Sequence, residues 1–223
     1  MTAASPNLVR RIVANTAIST RFDIGLMLEG SAIELVNTIR AKYSPPGVGL
    51  PPFNGTRLFL GINSRHWNYC KRLMSNFASQ GSSFPIELNC FGRQVQTSRH
   101  RIIVEMSSPQ MMAIRASLSK ELGFVLRELA RYPPARTGLP AHALSWHEKP
   151  FYPATSLCTL SPGEKEVSIR ILDELNSEFP IGLGSAYATG LSLLLVPPRL
   201  RDLKAMDPTI GPYFVDFPFT GSR

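Results

Sequence analysis

Two short segments carry polar residues at matching spacing, and they are the strongest candidates for chemistry. The first reads PPFNGTRLFLG and contains Asn54 and Thr56, and the second reads PFYPATSLCTL and contains Ala154 and Ser156. Hydroxyl and carboxamide groups donate and accept hydrogen bonds, so these side chains suit a phosphate, a carbonyl or a hydroxyl group.

Histidine is the usual proton carrier near neutral pH, and the chain contains four. His147 precedes Ala154 by seven residues, which is close enough for its loop to fold back over the second segment. We therefore include it among the candidate ligand-binding residues, although an exposed loop histidine is the simpler reading. His142 lies in the same loop, His66 at a helix start and His100 beside arginines, and none of the three has an indicated partner.

The residues beside the two segments have alternative roles. Thr56 and Ser156 lie in strand-like sequence, where their hydroxyls either line a pocket or face neighbours in the core, and we favour the pocket. Tyr152 and Phe151 precede the second segment and can stack on a flat ligand or join the core. Arg57 alternates with Thr56 along its strand, which predicts a surface position.

The first half of the chain predicts strand, helix, strand, helix, strand. Ser31 and Glu34 form a capping box at the start of a helix over residues 32–43, and Asn63 or Ser64 caps a second amphipathic stretch. The three strands read FDIGLML, NGTRLFLGI and FPIELNCF.

The second half predicts the same order. Ser108 followed by Pro109 opens one helix, and Ser161, Pro162 and Glu164 combine a capping box with an early proline to open another. The three strands read RIIVEM, PATSLCTL and GLSLLLV.

This internal repeat predicts an α+β fold of two lobes, with a central cleft between two small antiparallel sheets. Asn54 and Ala154 take matching places in the two halves, so the repeat brings both segments to the cleft, where ligands commonly bind. We expect residues 1–21 to form an N-terminal arm, 22–196 the bilobal domain and 197–223 a C-terminal segment packed on it.

The combined order of elements and segments resembles the two-histidine phosphoesterases. These include the bacterial RNA 2′,5′-ligase-like proteins and the 2′,3′-cyclic nucleotide phosphodiesterases, and each of their lobes carries a His-x-Thr or His-x-Ser motif. The resemblance extends over about residues 22–196, with the first segment ending in the Leu-Gly pair found in the family.

The resemblance implies that one histidine deprotonates the attacking group, the other protonates the leaving oxygen, and the Thr and Ser hydroxyls hold the phosphate. Here Asn54 and Ala154 stand in the histidine positions, while Thr56 and Ser156 are kept. Each lost acid or base function costs about 10²- to 10⁴-fold in rate, so we expect no ordinary phosphodiester hydrolysis.

Bulk composition restricts the setting and the partners. The 223 residues are 43% hydrophobic, enough for a substantial core, and a net charge of +8 with pI near 9.8 favours acidic partners. Three cysteines without ligand-like spacing predict neither disulfides nor a metal site, and no apolar run is long enough to cross a membrane. We expect a cytoplasmic protein without cofactor, metal or membrane partner.

Two functions follow, with a scaffold that binds no ligand as a third reading. The first is a pseudoenzyme whose cleft binds a nucleotide or an RNA end. The second is a repurposed enzyme that isomerises or cyclises a small, largely apolar metabolite by positioning and hydrogen bonds. The candidate ligand-binding residues are Asn54, Thr56, Ser156, Tyr152 and His147. Inward-pointing basic residues favour the first function, and an apolar lining favours the second.

Overall fold

The computed structural model describes residues 21–43, 55–96, 99–126, 151–196 and 214–221. Within these ranges the chain forms seven strands, β1 Arg21–Glu29, β2 Gly55–Asn63, β3 Phe84–Gln96, β4 Arg99–Ser107, β5 Ala154–Leu160, β6 Gly184–Val196 and β7 Phe214–Pro218. The long helices are α1 Ser31–Tyr43, α2 Trp67–Gln80, α3 Pro109–Glu121 and α4 Lys165–Glu178. The predicted order of elements in both halves is therefore observed.

All described strand pairs are antiparallel, and they follow the order β2-β1-β6-β3-β4-β5, with β7 added beside β6. Two groups are evident, β2-β1-β6 and β3-β4-β5, and each takes its third strand from the other half of the sequence. The pairing of β3 with β6 joins them into one continuous sheet. The predicted α+β fold with antiparallel strands is confirmed, and its two predicted sheets are hydrogen-bonded to each other.

One face of the sheet, here called the outer face, packs against the helices. Alternate residues of β1, beginning with Phe22 and Ile24, belong to the main hydrophobic core, and the Phe22 ring lies edge-on to Trp67 of α2 at 5.2 Å between centroids. The opposite face is called the inner face. Ile103 and Leu194 on the inner face are buried but stand apart from that core.

Three of the four predicted helix starts rest on local hydrogen bonds of the predicted side chains, whereas the first helix already includes Ser31 and its first N–H groups bond to the Gly30 carbonyl. The Ser108 hydroxyl accepts a bond from the Met111 backbone N–H at 3.4 Å. Ser161 and Glu164 form the predicted capping box at a 3₁₀ turn, Pro162–Glu164, which leads into α4. At the turn before α2, the Asn63 carboxamide oxygen accepts a hydrogen bond from the Arg65 N–H at 2.9 Å. This bond is expected of Asn63, one of the two residues predicted as the cap. Short polar residues at these positions satisfy backbone groups that the helix leaves unpaired.

Strand β2 departs from simple alternation. Phe59 is buried along with Leu58 and Ile62, whereas Leu60 is only half-buried. The register with β1 shifts twice, and each shift adds a residue to β2 and turns the strand over. Gly61 has a φ of 69° at the first shift, a conformation that glycine adopts without strain.

The C-terminal segment contributes a strand that the sequence did not indicate. Strand β7 pairs with the end of β6, and the chain then bonds to the end of α2, where the Thr220 N–H donates to the Ala78 carbonyl at 3.0 Å. The described part of the C-terminal segment is therefore bonded to the β2-β1-β6 group of strands through β6. Residues 1–20 of the predicted arm lie outside the described residues. No helix in the described ranges combines the length and apolarity needed to cross a bilayer.

Candidate functional site

The two candidate segments meet where β2 and β5 begin. The Thr56 hydroxyl donates to the Ala154 carbonyl at 3.3 Å, and the Thr155 hydroxyl donates to the Gly55 carbonyl at 3.3 Å. These reciprocal bonds connect the two edge strands of the sheet order. Segments 98 and 100 residues apart in sequence are therefore in direct contact.

Arg40 of α1 reinforces this junction from the outer face. Its Nε donates to the Ser156 carbonyl at 2.9 Å, and one terminal nitrogen donates to the Thr155 hydroxyl at 2.8 Å. Burial lowers the pKa of Arg40 to about 10, which leaves it charged at neutral pH. The sequence analysis missed this residue because nothing local marks a helical arginine that reaches a strand more than a hundred residues away.

Arg115 of α3 bonds to β2 in a corresponding way. Its Nε donates to the Leu58 carbonyl at 3.4 Å, and its guanidinium lies over the Phe59 and Phe151 rings, 5.4 and 4.4 Å from their centroids. Phe151, one of the two stacking candidates, thus packs beneath an arginine. An arginine from each half of the sequence therefore bonds to the candidate strand of the other half.

The strand register relates the two segments to their neighbouring strands. Thr56 lies opposite Leu26 of β1, and Thr155 lies opposite Val104 of β4. The pairing of β1 with β2 contains two register shifts and the pairing of β4 with β5 contains one, so the two segments do not carry the same number of bulge residues.

The same register places Arg57 and Ser156 on the inner face. Residues directly opposite on antiparallel strands point to the same side, and Arg57 lies opposite Gly25 while Ser156 lies opposite Ile103. Arg57 alternates with Thr56 and is exposed, so the predicted surface position is confirmed. Thr56 is only 2% exposed and shares the side of the core residue Leu26, so the exposed Arg57 lies on the inner face.

Asp23 of β1 holds Arg57 at the inner face. Its Oδ2 lies 3.4 Å from the Arg57 Nε, and its Oδ1 accepts from the Gly61 N–H at 2.8 Å. Burial raises the pKa of Asp23, although Arg57 and the Gly61 N–H oppose that rise. The Arg57 side chain remains 46% exposed, so the paired guanidinium still faces solvent.

Arg101 and Ile103 are two positions apart on β4, so Arg101 lies on the inner face as well. Burial, together with the positive charges of Arg99 and Arg57, lowers the pKa of Arg101 to about 10. Two buried polar atoms on this face, the Arg101 Nε and the Ser156 Oγ, have no hydrogen-bond partner among the described residues. Such groups ordinarily have partners, and each unmade bond costs about 1–3 kcal/mol.

Tyr152 lies beside this group. Its ring is 56% exposed, and a hydrogen bond from its hydroxyl to Glu105 raises the pKa of Tyr152. Glu105 lies opposite Ala154 on the inner face, two positions from Ile103. The partner of this exposed tyrosine therefore lies on the same face as the unpartnered donors.

The histidines do not join the site as far as the structure describes them. The His100 Nε2 lies 3.1 Å from the Pro162 carbonyl, and His66 stacks edge-on against Phe124 at 5.8 Å. Asn54, His142 and His147 lie outside the described residues. In the described part of the chain, histidines, cysteines and carboxylates form no group of three that could hold a metal ion.

Comparison with known proteins supports the fold. No family model matches the sequence, and no curated protein matches it. The structure superposes on the crystal structure of TT0787 of Thermus thermophilus with a TM-score of 0.55 and 16% identity, over 91% of this chain and 100% of that one. Escherichia coli LigT is similar at a TM-score of 0.45 and 19% identity, both in its apo form, over 80% of this chain and 88% of that one, and in its complex with 3′-AMP, over 81% and 91%. The chain thus has the fold of TT0787, in agreement with the fold predicted from the sequence.

Proposed function

We propose that this protein is a degenerate member of the two-histidine phosphoesterase group that binds a nucleotide or RNA end through its phosphate and does not hydrolyse it by the two-histidine mechanism. The fold supports the structural part of this proposal. The observation that carries the binding part is the pair of unpartnered buried donors, Arg101 Nε and Ser156 Oγ, on one face of the sheet.

A phosphate group matches these donors chemically. Its oxygens accept several hydrogen bonds at once, and planar guanidinium groups pair with them bidentately. Arg57 adds a second positive charge close enough to lower the pKa of Arg101. Ser156 and Arg101 are both partly exposed, so side-chain rotation is enough to present the covered atoms to a bound oxygen. Binding would thereby satisfy donors that the free protein leaves unmatched.

The exposed Tyr152 ring supports a nucleotide over a simple anion. Bases stack on aromatic side chains with a gain of about 1–3 kcal/mol per base, largely independent of sequence. Glu105, the hydrogen-bond partner of the Tyr152 hydroxyl, lies on β4 two residues from the position opposite Ser156 and four residues from Arg101, or about 7 and 13 Å along the strand. The shorter separation suits a base and a phosphate on one nucleoside.

The proposed lack of hydrolysis is supported by the sequence of the two segments. Neither 54–56 nor 153–156 contains a histidine, so neither segment supplies the usual proton carrier. Asn54 and His147 remain candidate contacts of the ligand. Thr56 contributes to the junction of the two strands, and its hydroxyl is engaged by the Ala154 carbonyl.

The alternative of a repurposed isomerase or cyclase for an apolar metabolite has less support. That function requires a cleft lined by Leu, Phe and Tyr with few cations. Among the described residues the inner face instead carries Arg57, Arg99 and Arg101. A cytoplasmic setting is part of the proposal, supported by free Cys70, Cys90 and Cys158.

The test is a calorimetric titration with 3′-AMP and with adenosine. We expect 3′-AMP to bind and adenosine to bind at least tenfold more weakly, and we expect added salt to weaken 3′-AMP binding because it screens the partly exposed arginines. Arg101→Met should weaken 3′-AMP binding by about 10- to 100-fold, the loss expected for charge-assisted hydrogen bonds.

Arg72→Met is the matched control, because it removes the same charge from an exposed position on α2. It should leave the affinity unchanged. Equal binding of adenosine and 3′-AMP, or equal effects of the Arg101 and Arg72 variants, would overturn the proposed phosphate site.

A further inference from the structure

We propose that the inner face contains a second binding site, a pocket at the end of β1 that takes a primary ammonium group. The pocket is shallow and has a volume of about 400 Å³, which lies within the range of small-molecule sites. Its walls come from the end of β1 and the turn after it, the segment between α2 and β3, and the first half of β6. The lining residues are Glu29, Gly30, Ser83, Tyr187 and Thr189.

The strand register places this pocket on the inner face and apart from Arg57. Glu29 follows the core residue Leu28 and lies opposite Tyr187, so the two exposed side chains point to the same side of the sheet. Glu29 is four residues along β1 from Gly25, the residue opposite Arg57, which is a distance of about 13 Å. The pocket therefore does not depend on the phosphate site proposed above.

A β-bulge brings a buried hydroxyl to the pocket. Met27 and Leu28 are adjacent on β1 but lie opposite Gly190 and Ala188, so Thr189 is an extra residue that lies opposite neither. The Thr189 carbonyl accepts a hydrogen bond at 2.9 Å from the chain after β7, whereas its Oγ1 is buried and has no partner among the described residues. Buried hydroxyls ordinarily have a partner, and a ligand that donates to Thr189 would supply it.

The lining groups match an ammonium group in charge and in number of acceptors. The Glu29 carboxylate supplies a negative charge, and the hydroxyls of Ser83 and Thr189 supply two further acceptors. Three acceptors from three segments of the chain can therefore meet the three N–H donors of an ammonium group. The Tyr187 ring is 50% exposed, and the face of an aromatic ring attracts a cation. The lining residues that the structure describes include no lysine or arginine to oppose it.

The experiment is an NMR titration of the ¹⁵N-labelled full chain with butylamine, which has the four-carbon stem and the ammonium group of a lysine side chain. The matched probe is n-butanol, which has nearly the same shape and no charge. We expect butylamine to cause saturable shifts in the backbone amide signals of residues 29–30 and 185–190. Butanol should bind at least about fivefold more weakly, because it lacks both the ion pair and the cation–π contact.

Two exposed side chains test the cation directly. Glu29→Gln should weaken butylamine binding by about two- to fivefold, since it removes the charge of a solvent-exposed ion pair. Tyr187→Leu keeps an apolar side chain but removes the ring face, and it should weaken binding by a similar factor of about two to five. Glu166→Gln is the matched control, because it removes the same charge from an exposed position on α4, and it should leave the affinity unchanged.

Thr189→Val separates a binding role of this hydroxyl from a structural one. Valine has the shape of threonine without the hydroxyl, so the change removes a buried group that has no described partner in the free protein. We expect the free energy of unfolding to stay the same or rise, while butylamine binding weakens by about 3- to 10-fold. Lower stability with unchanged affinity would contradict the proposed contact with the ammonium group.

A further probe identifies the source of the amine. N-acetyl-lysine methylamide has the same side chain on a peptide backbone. Tighter binding than butylamine supports a lysine of a partner protein as the ligand, and equal or weaker binding supports a free amine. If butanol binds as well as butylamine, or if Glu29→Gln and Glu166→Gln bind butylamine equally, the ammonium site is overturned. The phosphate site would be unaffected by that result, because it is tested with nucleotides and with Arg101→Met.

Discussion

Replacing Arg40 by methionine tests how the two candidate strands are held together. Arg40 is the described side chain of α1 that bonds to both Thr155 and Ser156 of β5, at 2.8 and 2.9 Å. Methionine keeps most of the apolar stem and removes the guanidinium. The change therefore deletes the bonds while it preserves much of the packing.

The expected loss follows from these two bonds. A hydrogen bond with a charged partner contributes about 1.5–3 kcal/mol, and the Thr155 hydroxyl keeps its own bond to the Gly55 carbonyl after the change. Allowing for some access of water to the freed Ser156 carbonyl, we expect unfolding to become easier by about 3 kcal/mol. For a chain of this size that corresponds to a fall in Tm of about 6–12 °C.

The assay is urea unfolding followed by circular dichroism, with the free energy of unfolding taken from the midpoint and slope. Arg170→Met is the control, because Arg170 is exposed on α4. Exposed substitutions of this kind change stability by about 0.5 kcal/mol or less. An Arg40→Met protein as stable as the Arg170→Met protein would refute the reasoning that Arg40 fixes the junction.

Three further predictions concern chemistry and titration. The protein should produce no nucleoside monophosphate from 2′,3′-cyclic nucleotides beyond the rate in buffer, as followed by chromatography, and sustained turnover would contradict the account of the missing histidines. Because burial raises the pKa of Asp23, its ionisation costs stability in the folded state, so the wild type should lose stability relative to Asp23→Asn as the pH rises above about 4 in urea unfolding. A constant difference between the two proteins across pH 3.5–7 would contradict this. A thiol reagent at pH 8 should label exposed Cys90 quickly and buried Cys70 and Cys158 only after unfolding, since burial raises the pKa of Cys70 to about 12, and mass spectrometry would detect early labelling of either buried thiol.

The local elements were predictable because their signals are short-range. The caps at Ser108 and Ser161 use residues within three positions of each other, so the sequence contains the whole interaction. The bulges were not predictable in the same way. Gly61 is compatible with many conformations, and its role depends on Asp23 of a neighbouring strand, which becomes visible only when the strands pair. The two register shifts in β2 determine which side of the sheet its residues face.

The site was only partly predictable for a related reason. The two segments were identified, and the structure brings Thr56 into contact with Ala154. Arg101 and Arg40 were missed as site residues because an arginine on a strand or helix is usually a solvated surface residue. Their significance comes from burial and from partners, present or lacking, that belong to distant elements.

The most direct test of the central claim is a double-mutant cycle on 3′-AMP affinity with Arg101→Met, Ser156→Ala and the combined variant. If both side chains contact one phosphate, each single change should weaken binding, and the double change should cost less than the sum by about 1 kcal/mol or more. Full affinity in either single variant, or strictly additive losses, would contradict a shared phosphate site on the inner face.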